Sequence, residues 1–288
     1  MLEDTSCAGV RDYLRGGHAA YTTSRQAAWR LLGLLPHAPF LAQDAAWFAE
    51  HATTVLVRDH GVRQIVHLDC GYANVPGHNT HEIARASAAD CRVVYAAADP
   101  LAAADARCLL ADSDQVEAVT TLLAAGVDDI LDHPAVSALF DRARPVAVLC
   151  SSLEAVPDPT AASLAAALVR RLPAGGYLAV CQPTVQETYL ARHIDEEMDE
   201  ALDGRWGRLR TPDQFASLLR DADLGGGPDV VTAPRYIRSS YRPAGPPRAA
   251  VLGAIARIHP HGANRAAGTR TTPAGAGAGP VPAERSRP

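Results

Sequence analysis

Five short apolar runs alternate with longer stretches of helical periodicity between residues 63 and 182, and this alternation restricts the fold more than any other feature of the chain. The strand candidates are Arg63–Asp69, Arg92–Ala96, Glu117–Leu122, Pro145–Cys150 and Tyr177–Cys181. Helical spacing fills the gaps at 79–88, 100–111, 134–141 and 158–171. Strand, helix and strand in repeated order predict a parallel sheet built with right-handed crossovers. The expected fold class is therefore α/β, a Rossmann-like and mostly parallel sheet.

The flanks read differently. Residues 1–60 are helical in pattern. One helix is expected over 23–35, stopped by Pro36. The next carries Phe40, Leu41, Asp44, Trp47, Phe48, His51, Val55 and Leu56 along a mostly apolar face. Beyond the last apolar run, a helix is expected over 184–202. Thr211-Pro212 opens another, which runs to about Ala222. Asp229–Ala233 and Tyr236–Tyr241 are expected to close the sheet as a hairpin-like antiparallel edge. From Pro243 onward Pro, Ala, Gly, Arg and Thr dominate, and such a segment buries too little apolar surface to offset its ordering entropy. Its one apolar piece, Val251–Ile258, is expected to dock as a short helix. The expected organisation is a helical lid over 1–60, an α/β domain over 61–243 and a tail over 244–288.

Composition removes several function classes. Of the 288 residues 48% are hydrophobic and 20% charged, enough for one substantial core. All 27 basic residues are arginine. Without lysine there is no Schiff base, no P-loop lysine and no pyridoxal attachment point. A net charge of −5 with no basic stripe argues against nucleic acid as a partner. No apolar run is long enough for a membrane span, and the N-terminus lacks a signal-peptide pattern, so a soluble cytoplasmic protein is expected. The six cysteines contain no C-x-x-C pair, which argues against zinc and for reduced thiols in the cytosol. Asp195-Glu196-Glu197 with Asp199-Glu200 reads as a solvated helix face, and no metal is expected.

Two strand ends carry groups suited to a ligand. The first ends in His67-Leu68-Asp69-Cys70-Gly71-Tyr72-Ala73, an acid followed by a glycine-containing turn. Open α/β sheets bind nucleotides at such a place, where a small residue lets the backbone approach the ligand. An ordinary strand-to-helix turn reads the same way. The second ends in Ala96-Ala97-Ala98-Asp99-Pro100. Asp99 is either a ligand group or a helix cap.

Five separated segments stand in a common order: Val10-Arg11-Asp12-Tyr13-Leu14-Arg15-Gly16-Gly17-His18 with Tyr21 and Ser24-Arg25; Gly61-Val62-Arg63-Gln64-Ile65 through Asp69-x-Gly71 to Asn79-Thr80-His81-Glu82; Arg92-Val93-Val94-Tyr95 with Asp99-Pro100; Arg144-Pro145-Val146-Ala147 with Leu153 and Val156-Pro157-Asp158; and Arg210-Thr211-Pro212 with Asp229 and Tyr241-Arg242-Pro243. Together they resemble the actinobacterial family of S-adenosylmethionine-dependent methyltransferase-like proteins. The first is similar to that family's Tyr-Asp-Tyr-x-x-Gly-Gly-Lys signature, and the second to its first strand and the Asn-x-His-Glu opening of the next helix. The resemblance covers about residues 8–243. It implies a class I methyltransferase fold with an N-terminal helical lid and S-adenosylmethionine as cofactor. It assigns Tyr13, Gly16, Gly17, Asp69, Gly71 and Asp99 to cofactor binding.

The chain departs from the family where the cofactor would be held. The second loop glycine is Ala73, and the second-strand carboxylate that would hold the ribose falls on Ala97. The third-strand group that would meet the adenine falls on Leu123, and the histidine after the fourth strand is Glu154. The signature lysine is His18, and the Asp-Asn after it is Ala19-Ala20. A hydrogen bond to a carboxylate is worth about 1.5–3 kcal/mol. Losing both anchors therefore costs roughly 3–6 kcal/mol, or about two to four decades in affinity.

The groups left at the expected cleft supply the catalytic candidates. His81 or Glu154 would serve as general base toward an amine or hydroxyl. Tyr21 would join them from the lid, and Arg25 would clamp an anionic or leaving group. Each also reads as an ordinary helix start, cap or surface pair. The expected function is a methyltransferase-fold enzyme with a rewritten cofactor pocket and no cofactor. It would act on a small polar metabolite of natural-product metabolism by displacement, elimination or cyclisation. The alternatives are a working S-adenosylmethionine-dependent methyltransferase and a non-catalytic subunit paired with a related catalytic chain. A dimer or other homo- or hetero-oligomer is expected.

Overall fold

The computed structural model describes residues 6–110, 114–120, 127–141, 143–156, 160–161, 163, 167, 170–172, 175–221, 231–233 and 248–258. Its strands are β1 (Gln64–Leu68), β2 (Arg92–Ala97), β3 (Val116–Thr120), β4 (Ala147–Cys150), β5 (Tyr177–Val185), β6 (Val231–Ala233) and β7 (Ala249–Arg257). They form one sheet in the order β3-β2-β1-β4-β5-β7-β6. The first five are parallel to one another, while β7 runs antiparallel to both β5 and β6. This is the α/β, mostly parallel class I methyltransferase architecture with an antiparallel edge.

The helices are α1 (Cys7–Leu14), α2 (Thr22–Leu34), α3 (Ala38–Arg58), α4 (Thr80–Ser87), α5 (Pro100–Leu109), α6 (Val127–Leu131), α7 (Pro134–Leu139), α8 (Thr188–Ala201) and α9 (Pro212–Asp221). Two of the family-like motifs form reciprocal caps at helix starts. At α4 the Asn79 side chain accepts from the third helical amide while Glu82 Oε2 accepts from Asn79 N at 2.9 Å, a reciprocal capping box. At α9 Thr211 and Gln214 do the same, with Thr211 N donating to Gln214 Oε1 at 2.9 Å. No helix among the described residues is long and apolar enough to cross a membrane.

The largest departure from the sequence reading is β7. Val251–Ile258 is expected as a short helix in a tail, yet Ala249–Arg257 is a strand paired with all nine residues of β5. The reason is non-local. The stretch is nearly continuous in small and apolar residues, and β5 offers it a complete ladder from a place some 70 residues earlier in the chain. The same pairing carries β5 beyond its expected end at Cys181 to Val185. The α/β unit therefore extends past residue 243 to the end of β7. The closing edge is antiparallel as expected, but β6 reaches the sheet through β7. Tyr236–Tyr241 lies outside the described residues, as does most of the expected helix over 158–171.

The lid packs onto one face of this sheet. Val10, Leu31, Leu41, Phe48 and Leu56 share a buried cluster with Ile65, Tyr95, Leu149 and Ile255. Phe48 of α3 lies so close to Gly253 of β7 that a Cβ there would collide with its ring. Strand order reverses at β1, which has β2 on one side and β4 on the other. Open α/β sheets bind ligands at such a switch point, beyond the carboxyl ends of the two strands. Here those ends lead into Asp69 and into Ser151 through Glu154.

Candidate functional site

Asp69 follows β1 with a φ of 47°, in the left-handed region that Asp tolerates better than most side chains, and Gly71 follows at 67°. This turn aims the Asp69 carboxylate across the switch point. Its Oδ2 accepts from Ser152 Oγ at 2.7 Å and from Arg11 Nη2 at 2.6 Å. Arg11 belongs to α1, so the lid is tied to the sheet edge by an ion pair. A second tie lies at the start of the same helix. Ser6 caps α1 by accepting from Gly9 N at 3.1 Å, and its hydroxyl donates to Asp99 Oδ2 at 2.6 Å. Between the two ties, Ala8 packs with Tyr72, Ala97, Ala102 and Ala103 in a small apolar cluster.

Glu154 sits in the 3-10 turn Leu153–Ala155 that follows β4. The segment 206–210 clamps this turn. Arg208 N donates to Glu154 O at 2.6 Å, and Gly207 lies so close to the Glu154 carbonyl that a side chain there would collide with it. The buried Arg210 guanidinium reaches Leu153 O at 3.1 Å, Val156 O at 2.8 Å and Gln182 Oε1 at 2.7 Å. Glu154 Oε1 stands 4.0 Å from Arg11 Nη1. Burial raises the Glu154 carboxyl to about 7, with Arg11 acting in the opposite direction. Burial alone would lower Arg11, but Asp69 and Glu154 more than offset it, so the guanidinium stays charged. A carboxyl poised near neutrality both accepts and returns protons at physiological pH. Beside it lies a cavity of about 50 Å³, lined by apolar side chains of α1, α2 and α3 and by Trp206 and Leu209.

Of the residues expected at the site, the structure brings Asp69, Gly71 and Glu154 together. Asp99 lies at the same edge as the cap of α5, its Oδ1 accepting from Leu101 N at 2.8 Å and its Oδ2 held by Ser6. The remainder sit elsewhere. His81 is a buried residue in the first turn of α4, with Nδ1 2.9 Å from the Tyr95 hydroxyl, which also accepts from the His81 amide. Tyr21 is the exposed residue before α2 and makes no capping bond. Arg25 Nε donates to Ala20 O at 2.8 Å and holds the turn between α1 and α2. The Tyr13 hydroxyl accepts from Trp29 Nε1 at 2.8 Å within the lid. Gly16 and Gly17 end α1, with Gly16 at φ 84° and with the Asp12 carboxylate folded against Gly17 to accept from Ala19 N at 2.9 Å and Ala20 N at 3.1 Å. The signature's glycines thus build a turn. Leu123 lies outside the described residues.

Sequence reasoning misses Arg11, Ser6 and Arg210 as site residues. Arg11 leaves a trace in the sequence: it interrupts the apolar face Cys7, Val10 and Leu14 of a short helix. A guanidinium on a face that buries itself needs an anion on the opposing surface. Arg210 leaves none. A further buried pair also escapes notice. His67 Nδ1 is 2.9 Å from Thr80 Oγ1 and its Nε2 is 3.3 Å from Ser151 Oγ, and burial lowers this imidazole to about 4.

Residues 2–259 match the family model described as S-adenosyl methyltransferase. A candidate methyltransferase from Thermobifida fusca YX is similar in structure, with a TM-score of 0.74 and 23% identity over 90% of this chain and 97% of its own. A DUF574 family protein from Streptomyces avermitilis MA-4680 is similar at a TM-score of 0.73 and 24% identity, over 90% of this chain and 98% of its own. At those identities the two establish the fold. No curated protein matches the chain.

Proposed function

This chain belongs to the S-adenosyl methyltransferase family, and from that premise we propose that it runs acid–base chemistry on a small metabolite at Glu154, without the family's cofactor. The carrying observation is that α1 satisfies both carboxylates of the sheet edge, Asp69 through Arg11 and Asp99 through Ser6. S-adenosylmethionine presents an ammonium group and ribose hydroxyls. Its counterparts on this edge already hold a guanidinium and a hydroxyl from the lid. Asp99 Oδ1 is also committed to the α5 cap, and Ala97 at the tip of β2 is packed against Ala8 and Tyr72. These engagements support the reading of a site that works without the cofactor.

The chemistry that remains uses the chain's own groups. Glu154 takes a proton from an O–H or N–H of the substrate, and Arg11 faces the anion that results. The freed electron pair attacks an electrophilic carbon of the same molecule, whose leaving group departs with its bonding pair. The outcome is an intramolecular displacement or cyclisation. Calorimetric titration of the purified chain with S-adenosylmethionine tests the reading. Binding weaker than about 1 mM is expected, whereas a one-to-one isotherm at micromolar concentration overturns it.

A second reading, methyl transfer from S-adenosylmethionine, is favoured by one observation. Asp69 and the left-handed Gly71 keep the loop geometry after β1 that lets a ligand approach the backbone. It requires α1 to leave the edge. Transfer of label from methyl-labelled S-adenosylmethionine to a small acceptor would establish it.

A further inference from the structure

Where α1 meets the turn after β4, Arg11 Nη1 and Glu154 Oε2 are buried polar atoms with no hydrogen-bond partner among the described residues. Orphaned buried groups of this kind are rare because each costs its full desolvation. Here two of opposite hydrogen-bonding character lie together. Arg11 Nη2 serves Asp69, and the Glu154 backbone carbonyl serves Arg208. The nearer Glu154 oxygen, at 4.0 Å from Nη1, is too far for a direct hydrogen bond. It is near enough for one oxygen atom to lie between the two groups. Both line the cavity, whose other walls include Val10, Leu31, Leu41, Pro183, Trp206 and Leu209.

We propose that this cavity binds a molecule with a slim apolar body and one neutral hydroxyl, which accepts from Arg11 Nη1 and donates to the Glu154 carboxylate. The inference rests on Glu154 being the working carboxylate of the proposed function, and it names the substrate class. Chemistry selects the head group. Arginine only donates and, above pH 7, the ionised Glu154 carboxylate only accepts, so a ligand that satisfies both needs one acceptor and one donor on the same atom. A hydroxyl has both. An ether or ketone satisfies Arg11 and leaves Glu154 unpaired. A ligand carboxylate would be a third anion around one guanidinium, and an ammonium would face that guanidinium. Volume selects the body. The cavity of about 50 Å³ is roughly a third of an engineered apolar cavity that accepts benzene. A short aliphatic chain fits where a ring does not. The ligand is thus more apolar than a small polar metabolite, with its hydroxyl at the charged end and the leaving group of the proposed reaction an uncharged substituent of the body.

The test is a titration of the full chain above pH 7 with 1-butanol, 1-methoxypropane, butyrate and butylammonium, followed at the Trp206 indole N–H by NMR. Butanol is expected to shift that resonance saturably and to bind about tenfold more tightly than the isosteric ether, the increment of one hydrogen bond to a charged group. Neither ion should saturate. Equal binding of ether and alcohol, tighter binding of either ion, or an unmoved Trp206 resonance in butanol overturns the proposal. Leu41→Phe, which fills the cavity, should abolish the butanol response while the thermal midpoint is retained. The four-probe comparison on the wild-type chain decides the matter even where that variant does not fold. S-adenosylmethionine is titrated in parallel. Its tight binding alongside intact alcohol selectivity overturns the functional reading alone. Lost selectivity without cofactor binding overturns the pocket alone.

Discussion

Arg11 Nη2 lies 2.6 Å from Asp69 Oδ2, joining the lid's first helix to the turn after the sheet's first strand. Both side chains are largely buried, at 17% and 7% exposure. Eight residues are too few for a helix to persist alone in water. Three fixed points offset that weakness in α1: the Ser6 cap, the Ser6–Asp99 bond and the Arg11–Asp69 pair.

Removing one member of a buried pair leaves an uncompensated charge, which costs about 3–5 kcal/mol. Arg11→Met is expected to destabilise the chain by that amount in urea unfolding. Asp69→Asn is the suitable partner variant, since Asn accepts the positive φ. The double variant should recover a large part of the loss, giving a coupling energy above about 1 kcal/mol. Strict additivity would mean the two groups do not interact.

Ser6→Ala removes the α1 cap and the hydroxyl on Asp99 together. A lost cap costs about 0.5–2 kcal/mol. The effect should be local, with faster hydrogen exchange of the α1 amides and the sheet amides unchanged. Uniform acceleration across the sheet would show that α1 is not a separately docked element.

The sheet was legible in the sequence because its parallel strands are apolar runs of ordinary length, separated by helices with recognisable starts. Asn79 with Glu82, Asp99-Pro100 and Thr211-Pro212 all prove to be caps. β7 was not legible, because it is defined by β5, and a run of mostly small and apolar residues has no periodicity of its own. The site was legible only in part. Asp69 and Glu154 follow strand ends, and strand ends can be read. Arg11 acts across 58 residues of sequence, and only its interruption of an apolar helical face hints at that. His81 and Arg25 misled because a polar residue at a helix start or loop looks the same whether it serves a ligand or the chain's own backbone.

The position of β7 has its own consequence. Ending the chain at residue 243 removes the whole antiparallel partner of β5, and such a chain is expected not to reach the native state by circular dichroism or unfolding cooperativity. Gly253→Ala is the subtler probe. Its Cβ meets the Phe48 ring, and overpacking of this kind costs about 1–3 kcal/mol. Phe48→Leu in the same chain should restore part of the loss. A Gly253→Ala chain as stable as the wild type would remove Phe48 from that contact.

The last prediction concerns two buried titrations that oppose each other. Glu154 is raised from 4.5 to about 7 by burial, with Arg11, Asp69 and Arg210 around it. The folded state therefore holds its proton where the unfolded chain has lost it. Stability from this group is fully present below pH 4.5 and is lost as pH rises toward 7. His67 is lowered from 6.5 to about 4 by burial, with Asp69, Arg11 and Arg15 nearby. Here the unfolded chain takes up the proton first. Stability from this group is present above pH 6.5 and is lost as pH falls toward 4. Each displacement corresponds to about 3 kcal/mol, so between pH 4.5 and 6.5 the two slopes nearly cancel. Glu154→Gln should expose the His67 limb, with urea midpoints falling as pH drops from 6.5 to 4. His67→Gln should expose the Glu154 limb, with midpoints falling as pH rises from 4.5 to 7. If both variants keep the wild-type profile, neither group is titrating in the buried environment described.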